Sequence, residues 1–175
     1  MAIIVVMGVS GSGKTTVGKM LAARLGCRFF DGDDFHPPEN IEKMANGIPL
    51  TDADRIPWLA RLQTLLHRHL ADGVVLACSA LKRQYRAQLR ENNPGLQFVY
   101  LAGDFETIWA RMQTRKNHYM KAEMLQSQFA ALEPPGPDEA FQVGGVQNAA
   151  QIVDQIVAFL GSGENVPNHS GHLSA

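Results

Sequence analysis

Apolar positions along the chain switch repeatedly between continuous runs and helical spacing. Ile3 to Met7 is continuous and rich in β-branched residues, and glycine follows, which predicts a strand buried on both faces. Val17, Leu21 and Leu25 then recur at helical spacing, and Gly26 supplies a stop. Arg28 to Asp31 reads as a second strand. Residues 32–50, rich in Gly, Pro, Asp and Asn, read as irregular, with one helical turn over Asn40 to Ala45. A long helix follows. Thr51 or a neighbouring Asp caps it, Pro57 suits only its first turn, and Gly73 ends it. Its apolar stripe is Leu59, Leu62, Leu66 and Leu70.

Val74 to Cys78 and Gln97 to Leu101 read as the third and fourth strands, with a charged helix from Ala80 to Glu91 between them. Helices over Phe105 to Arg115 and Glu123 to Leu132 flank a basic connector. Phe141 to Val143 is a weak fifth strand, and Ala149 to Leu160 is the last helix. Strands alternating with helices predict an α/β fold: a five-stranded parallel sheet flanked by helices. One domain over residues 1–160 is expected. The stretch 161–175 has no apolar period and reads as a disordered tail.

Composition narrows the function classes. The 175 residues carry 16 Lys plus Arg against 17 Asp plus Glu, a balance with no general pull toward nucleic acid or anionic membrane. Cys27 and Cys78 have no CxxC or Cys/His ligand spacing, which suits two free thiols in a reducing compartment. The first apolar run is too short to span a bilayer and lacks a basic leader region, so a cytoplasmic location is the expectation.

The chemistry begins at Gly8-Val9-Ser10-Gly11-Ser12-Gly13-Lys14-Thr15, a full G-x-x-x-x-G-K-[ST] phosphate-binding loop between a buried strand and an amphipathic helix. Its glycines let the backbone curl so that several N–H groups converge on one phosphate, and the helix N-terminus adds partial positive charge. Lys14 suits the β- and γ-phosphates of ATP, and the Thr15 hydroxyl suits Mg²⁺. Thr16 extends the same turn.

A small-molecule kinase, a GTPase switch and an ATP-driven motor all use such a loop. No Asn-Lys-x-Asp base-reading motif is present, which argues against a GTPase. The third strand ends in Cys78 and Ser79 rather than in the Asp of a motor. Carboxylates come instead from Asp31-Gly32-Asp33-Asp34 at the end of strand two, on the edge where ligands bind in parallel sheets. Asp31 and Asp33 fit support of Mg²⁺ and orientation of an attacking hydroxyl, while turn formation explains such a cluster equally well for Asp34. From Arg111 to Lys121 the chain is basic, with no acid between Glu106 and Glu123. This reads as a mobile helical lid over about 111–122 that meets phosphate, or as a solvated face.

These residues carry a resemblance. The chain resembles the gluconokinases, P-loop small-molecule kinases related to shikimate kinase, from Ile4 to about Glu133. Beyond the phosphate loop, the carriers are Asp31 to Pro37, Asn40 to Met44, Gly47 to Asp52, Asp54 to Leu59, Cys78 to Arg86, Leu125 to Phe129 and Leu132 to Pro134. The resemblance implies a P-loop NTPase fold with a lid, and transfer of the ATP γ-phosphoryl group to D-gluconate with Mg²⁺. It also implies a possible homodimer.

By the same resemblance, Asp33 would hold the acceptor hydroxyl and Arg55 the substrate carboxylate. The backbone at Ser79 and Ala80 would line the pocket, and Arg111 and Arg115 would serve the nucleotide and γ-phosphate. Gluconate offers a carboxylate and a row of hydroxyls, and His36, Asn40, Lys82 and Arg86 are further polar groups that suit it. Arg86 on a charged helix also reads as solvated or paired, and Trp58 and Tyr85 read as packing residues. Adenine contacts are expected near Gly144 to Asn148. Shikimate or another sugar acid as acceptor, and a non-catalytic ATP sensor, are the competing readings.

Overall fold

The computed structural model describes residues 1–114, 122–144 and 147–163. Five strands, β1 (Ile3–Met7), β2 (Arg28–Asp31), β3 (Val74–Ala77), β4 (Leu96–Ala102) and β5 (Phe141–Gly144), form one sheet in the order β2-β3-β1-β4-β5. Every pairing is parallel, with Ile3 opposite both Val74 and Leu96. Each β1 side chain is buried because both sheet faces are covered.

On one face Ile3, Val5 and Met7 pack with Leu59, Leu62 and Leu66 of α3 (Asp52–Arg68) and Tyr85 and Leu89 of α4 (Arg83–Arg90). On the other, Ile4 and Val6 meet Val17 and Leu21 of α1 (Lys14–Leu25) and Val153 and Ile156 of α7 (Ala149–Gly161). A third cluster joins Val9 and Leu81 to Ile108 and Met112 of α5 (Phe105–Gln113) and Leu125 of α6 (Ala122–Ala131).

The short helix expected after β2 is present as α2 (Pro38–Ala45), preceded by a single 3₁₀ turn over Gly32–Phe35. Thr51 and Asp54 close a reciprocal capping box on α3. Pro57 departs from expectation. It lies inside α3 rather than in the first turn, where its ring removes a helical hydrogen bond. Separately, Asn40 Nδ2 donates to the Asp54 carbonyl at 2.9 Å, which ties α2 to the start of α3. α7 runs through Gly161 with Ser162 as its C-cap, and the rest of the expected tail, 164–175, lies outside the described residues. Among the described residues no helix is long and apolar enough to cross a membrane.

Candidate active site

Because β3 lies between β1 and β2, the loops leaving β1 and β2 flank the end of β3 at one edge of the sheet. The phosphate loop departs from β1 with Gly8, Gly11 and Gly13 at φ of 145°, 79° and 100°. L-residues rarely adopt such angles, so the curl depends on glycine. Gly8 N–H donates to Ser79 O at 3.3 Å, which ties the loop to the end of β3. Lys14 Nζ donates back to Val9 O at 2.9 Å. Desolvation lowers the Lys14 pKa, while Asp33, Cys78 and Asp31 oppose that shift. The Ser12 hydroxyl is buried and, among the described residues, has no hydrogen-bond partner, so a polar oxygen already stands inside the loop awaiting one.

The acidic cluster faces this loop. Thr15 donates its hydroxyl to Asp31 Oδ2 at 2.8 Å, and Asp31 Oδ1 accepts from the Asp33 N–H at 3.2 Å. Asp31 is thus both the cap of the turn that presents Asp33 and a neighbour of the α1 hydroxyl. Gly32 between them is buried, and a Cβ there would sit 2.8 Å from Ala77 O, so glycine allows β2 and β3 to meet closely. The surrounding cleft, then Asp31, pushes the Asp33 pKa up, Lys14 pulls it down, and Asp34 adds a smaller upward push. The Asp33 side chain keeps 85% of its surface exposed.

His36, after the turn, is buried and stacks on Trp58 with ring centroids 4.3 Å apart. Its Nδ1 lies 3.3 Å from Asn40 Nδ2 and its Nε2 4.0 Å from Asp33 Oδ1. Desolvation, then the Arg55 charge, lowers the His36 pKa to about 4, so the ring is neutral at physiological pH. Trp58 is fixed in turn by donating Nε1–H to Gly32 O at 2.8 Å. Arg55 donates to Leu50 O and, at 3.4 Å, to Thr51 O, and its guanidinium lies 5.8 Å from the Tyr85 ring centre.

Lys82 is engaged differently from Arg55. Its Nζ lies 2.8 Å from Asp52 Oδ1, and Tyr85 and Gln84 donate to the same carboxylate. These bonds hold Asp52 down at about 2. Ala80 has φ 44°, an unusual angle for a residue with a side chain. Arg86 secures that turn: it is almost fully buried, donates to Ala80 O and Leu81 O at 3.1 Å each, and makes a two-pronged pair with Glu139 at 2.7 and 3.0 Å. Of the two sequence readings, the paired one describes Arg86.

The structure therefore brings Gly8 to Thr16, Asp31, Asp33, His36, Asn40, Arg55, Ser79, Ala80 and Lys82 to one edge of the sheet. Arg111 closes α5, and Arg115 with the rest of the expected lid to Lys121 lies outside the described residues. A cleft of ≈ 570 Å³ lined by Tyr100, Ala102, Gly103, Asp104, Gln142 and Gly144 opens at the far side of the same edge, beyond β4 and β5. Sequence reasoning missed Asp52 and Gln128. Asp52 carried a capping signal and a place in a resembling motif, and Gln128, which meets Ser10 from 118 positions away, carried only such a place.

The donor set at Thr15 and Asp31 fits a hard cation, being one hydroxyl and one carboxylate oxygen in contact. Among the described residues no group of three or more His, Cys, Asp or Glu gathers as a metal cage. A cation held here would take its remaining ligands from phosphate and water, the usual situation for Mg²⁺.

Known proteins resemble the chain in sequence and fold. Residues 10–160 match the family model described as shikimate kinase. The thermosensitive gluconokinase of Escherichia coli (strain K12) is 52% identical over 138 residues, covering 77% of this chain and 73% of that one. The gluconokinase of Gluconobacter oxydans (strain 621H) is 47% identical over 157 residues, covering 88% of each. Among solved structures, a gluconokinase from Sinorhizobium meliloti 1021 superposes with a TM-score of 0.85 at 48% identity, covering 92% of both chains.

Proposed function

This chain belongs to the gluconokinases of the shikimate kinase family, and from that premise we propose that it transfers the γ-phosphoryl group of ATP to the terminal hydroxyl of D-gluconate, giving 6-phospho-D-gluconate and ADP. The observation that carries the reading is the convergence, on one edge of the sheet, of a complete phosphate loop with a carboxylate at Asp33 and a cationic wall at Arg55.

The residues divide the work. Gly8, Val9, Ser10, Gly11, Ser12 and Gly13 shape the phosphate cradle, and the amides at the start of α1, through Thr15 and Thr16, point partial positive charge at it. Lys14 exchanges its bond to Val9 O for the β- and γ-phosphates, a favourable trade for an ammonium already desolvated. Thr15 and Asp31 would hold Mg²⁺, which supplies charge neutralisation to the phosphates when bound.

Asp33 accepts the hydrogen bond of the attacking hydroxyl and orients it, and neutral His36, fixed by Trp58 and Asn40, walls that site. Arg55 takes the gluconate carboxylate in its planar fork. Lys82, Ser79 and Ala80 border the acceptor, with Lys82 held through Asp52. Arg111 and Arg115 serve the nucleotide and the charge on the moving phosphoryl group. A homodimer and a cytoplasmic location belong to the same reading and are checked by light scattering and cell fractionation.

The test is a coupled ADP-release assay across gluconate, idonate, shikimate, glucose and nucleoside monophosphates. Gluconate should stimulate ADP release most, with ADP and phosphogluconate formed in equal amounts, and Lys14→Ala should abolish it while leaving the fold intact. ATP consumption indifferent to gluconate would favour a sensor, and preference for shikimate would move the acceptor assignment.

A further inference from the structure

Gln128 stands on α6, and the reaction described so far leaves it without a task. Both ends of its side-chain amide reach one residue of the phosphate loop. Ser10 N–H donates to Gln128 Oε1 at 2.7 Å, and Gln128 Nε2 donates to Ser10 Oγ at 2.9 Å. A planar amide matches a backbone donor and a side-chain acceptor on the same residue, so the contact fixes orientation as well as distance.

Ser10 is at the apex of the loop, beside Gly11. A Cβ on Gly11 would stand 2.6 Å from Met112 Cγ and Sδ and 3.2 Å from Ile108 Cγ2, so α5 packs tightly against the same apex. Val9, on the other side of Ser10, is buried with Leu81, Ile108, Met112 and Leu125. The apex is thus held by packing from α5 and by directed hydrogen bonds from α6.

This matters because the loop is rich in glycine. Left alone, such a segment samples many conformations, and ordering it on each binding event would cost binding free energy. Donors that stabilise developing charge act best when already in place. Spending the Ser10 N–H on Gln128 leaves the phosphate to the amides further along, at the N-terminus of α1.

We propose that Gln128 is a positioning residue for the phosphate loop, holding its apex from α6 in the conformation that receives the nucleotide. The proposal rests on the kinase reading only for the identity of the ligand. Its opposite is that Gln128 plugs the loop and must leave before ATP enters.

Two variants decide between them. Gln128→Met keeps length and helix propensity but removes both hydrogen bonds. Gln128→Glu can still accept from the Ser10 N–H and can take the Ser10 hydroxyl proton, but it sets a negative charge beside the loop. The readouts are KM for ATP, KM for gluconate, melting temperature, and amide hydrogen exchange across residues 8–13 in the protein without ligands.

For Gln128→Met, the ATP KM should rise about tenfold, with the gluconate KM within about twofold of wild type. Loop exchange should quicken while the melting temperature moves little. For Gln128→Glu, loop exchange should stay slow while ATP weakens through repulsion. An unchanged ATP KM in Gln128→Met overturns the proposal, and a lowered one establishes the plug instead. A matched rise in both KM values with a lower melting temperature and unaltered loop exchange reduces Gln128 to general support, which also overturns it. Should Gln128→Met fail to fold, Gln128→Glu decides alone: slow exchange with weakened ATP supports the proposal, and fast exchange sinks it. The exchange arm needs no substrate, so its result stands even if the acceptor proves not to be gluconate.

Discussion

The Thr15 hydroxyl donates to the Asp31 carboxylate at 2.8 Å, joining the first turn of α1 to the end of β2 across the mouth of the cleft. Two elements that are distant in sequence therefore present adjacent oxygens, the pair proposed above to hold Mg²⁺. Thr15→Val keeps the shape and removes the hydroxyl. Activity should fall roughly ten- to a hundredfold, and the Mg²⁺ concentration giving half-maximal rate should rise, because one ligand is lost and Asp31 loses its donor. A Mg²⁺ titration of the initial rate checks this, and an unaltered half-maximal concentration would place the cation elsewhere.

Arg55 is held by the carbonyls of Leu50 and Thr51 at the entrance to α3 and faces Tyr85. Arg55→Lys preserves charge but gives up the planar fork. If the fork serves the acceptor as proposed, the KM for gluconate should rise about tenfold or more while the KM for ATP stays within about twofold. A shift in the ATP KM instead would move Arg55 to the nucleotide side.

His36 makes a distinct acid-stability signature. Its folded pKa of about 4 lies below the ordinary value of 6.5 because burial, and then Arg55, disfavour the imidazolium; Asp33, 4.0 Å away, is the acid facing it. The unfolded chain therefore binds the proton more readily, so stability is full above 6.5 and drains as pH falls from 6.5 to about 4. The loss is about 3 kcal/mol at most for a shift of that size. Asp52 and Asp54, each held near 2 by hydrogen bonds led by Lys82 and Lys43, lose their contribution only below the ordinary carboxylate range. Denaturant melts at stepped pH should show the first decline in wild type and not in His36→Gln. A decline of equal size in both proteins would assign it to other groups.

What the sequence made legible follows from which interactions are local. β1, β3 and β4 announce themselves as continuous apolar runs because both faces of the sheet are covered. The phosphate loop is legible because its glycines and Lys14 serve chemistry that fixes their spacing. Pro57 misled because the rule that places proline in a first turn is local, whereas the Thr51–Asp54 capping box starts α3 earlier, at Asp52. Arg86 read as a polar group for gluconate or as a solvated or paired charge, and only the fold shows its partners, Glu139 and the carbonyls of Ala80 and Leu81. The left-handed angle at Ala80 left no mark because no glycine stands there. Gln128 stayed silent for the same reason as Arg86: its partner is created by folding.

Asp33 should show a conflict between function and stability. Desolvation and then Asp31 raise its pKa above the ordinary carboxylate value, with Lys14 opposing. A folded-state pKa above the unfolded one means that the folded protein binds the proton more tightly, so ionising Asp33 costs stability as pH rises through this range. At neutral pH the carboxylate is therefore kept against a folding cost, and a catalytic task is a reason to keep it. Asp33→Asn retains the shape and one acceptor but removes the charge. The attacking hydroxyl loses its anionic partner, so kcat should fall by roughly a hundredfold or more, with a smaller effect on ATP binding. The melting temperature at neutral pH should meanwhile equal or exceed that of wild type, because the ionisation cost is gone. The acid limb of the wild-type pH–rate profile should also disappear from the residual activity of Asp33→Asn. Calorimetry and steady-state kinetics on the same preparations separate the two effects. A fall in melting temperature alongside kcat would make Asp33 a structural cap of the turn after β2, and an unchanged kcat would remove it from the phosphoryl transfer.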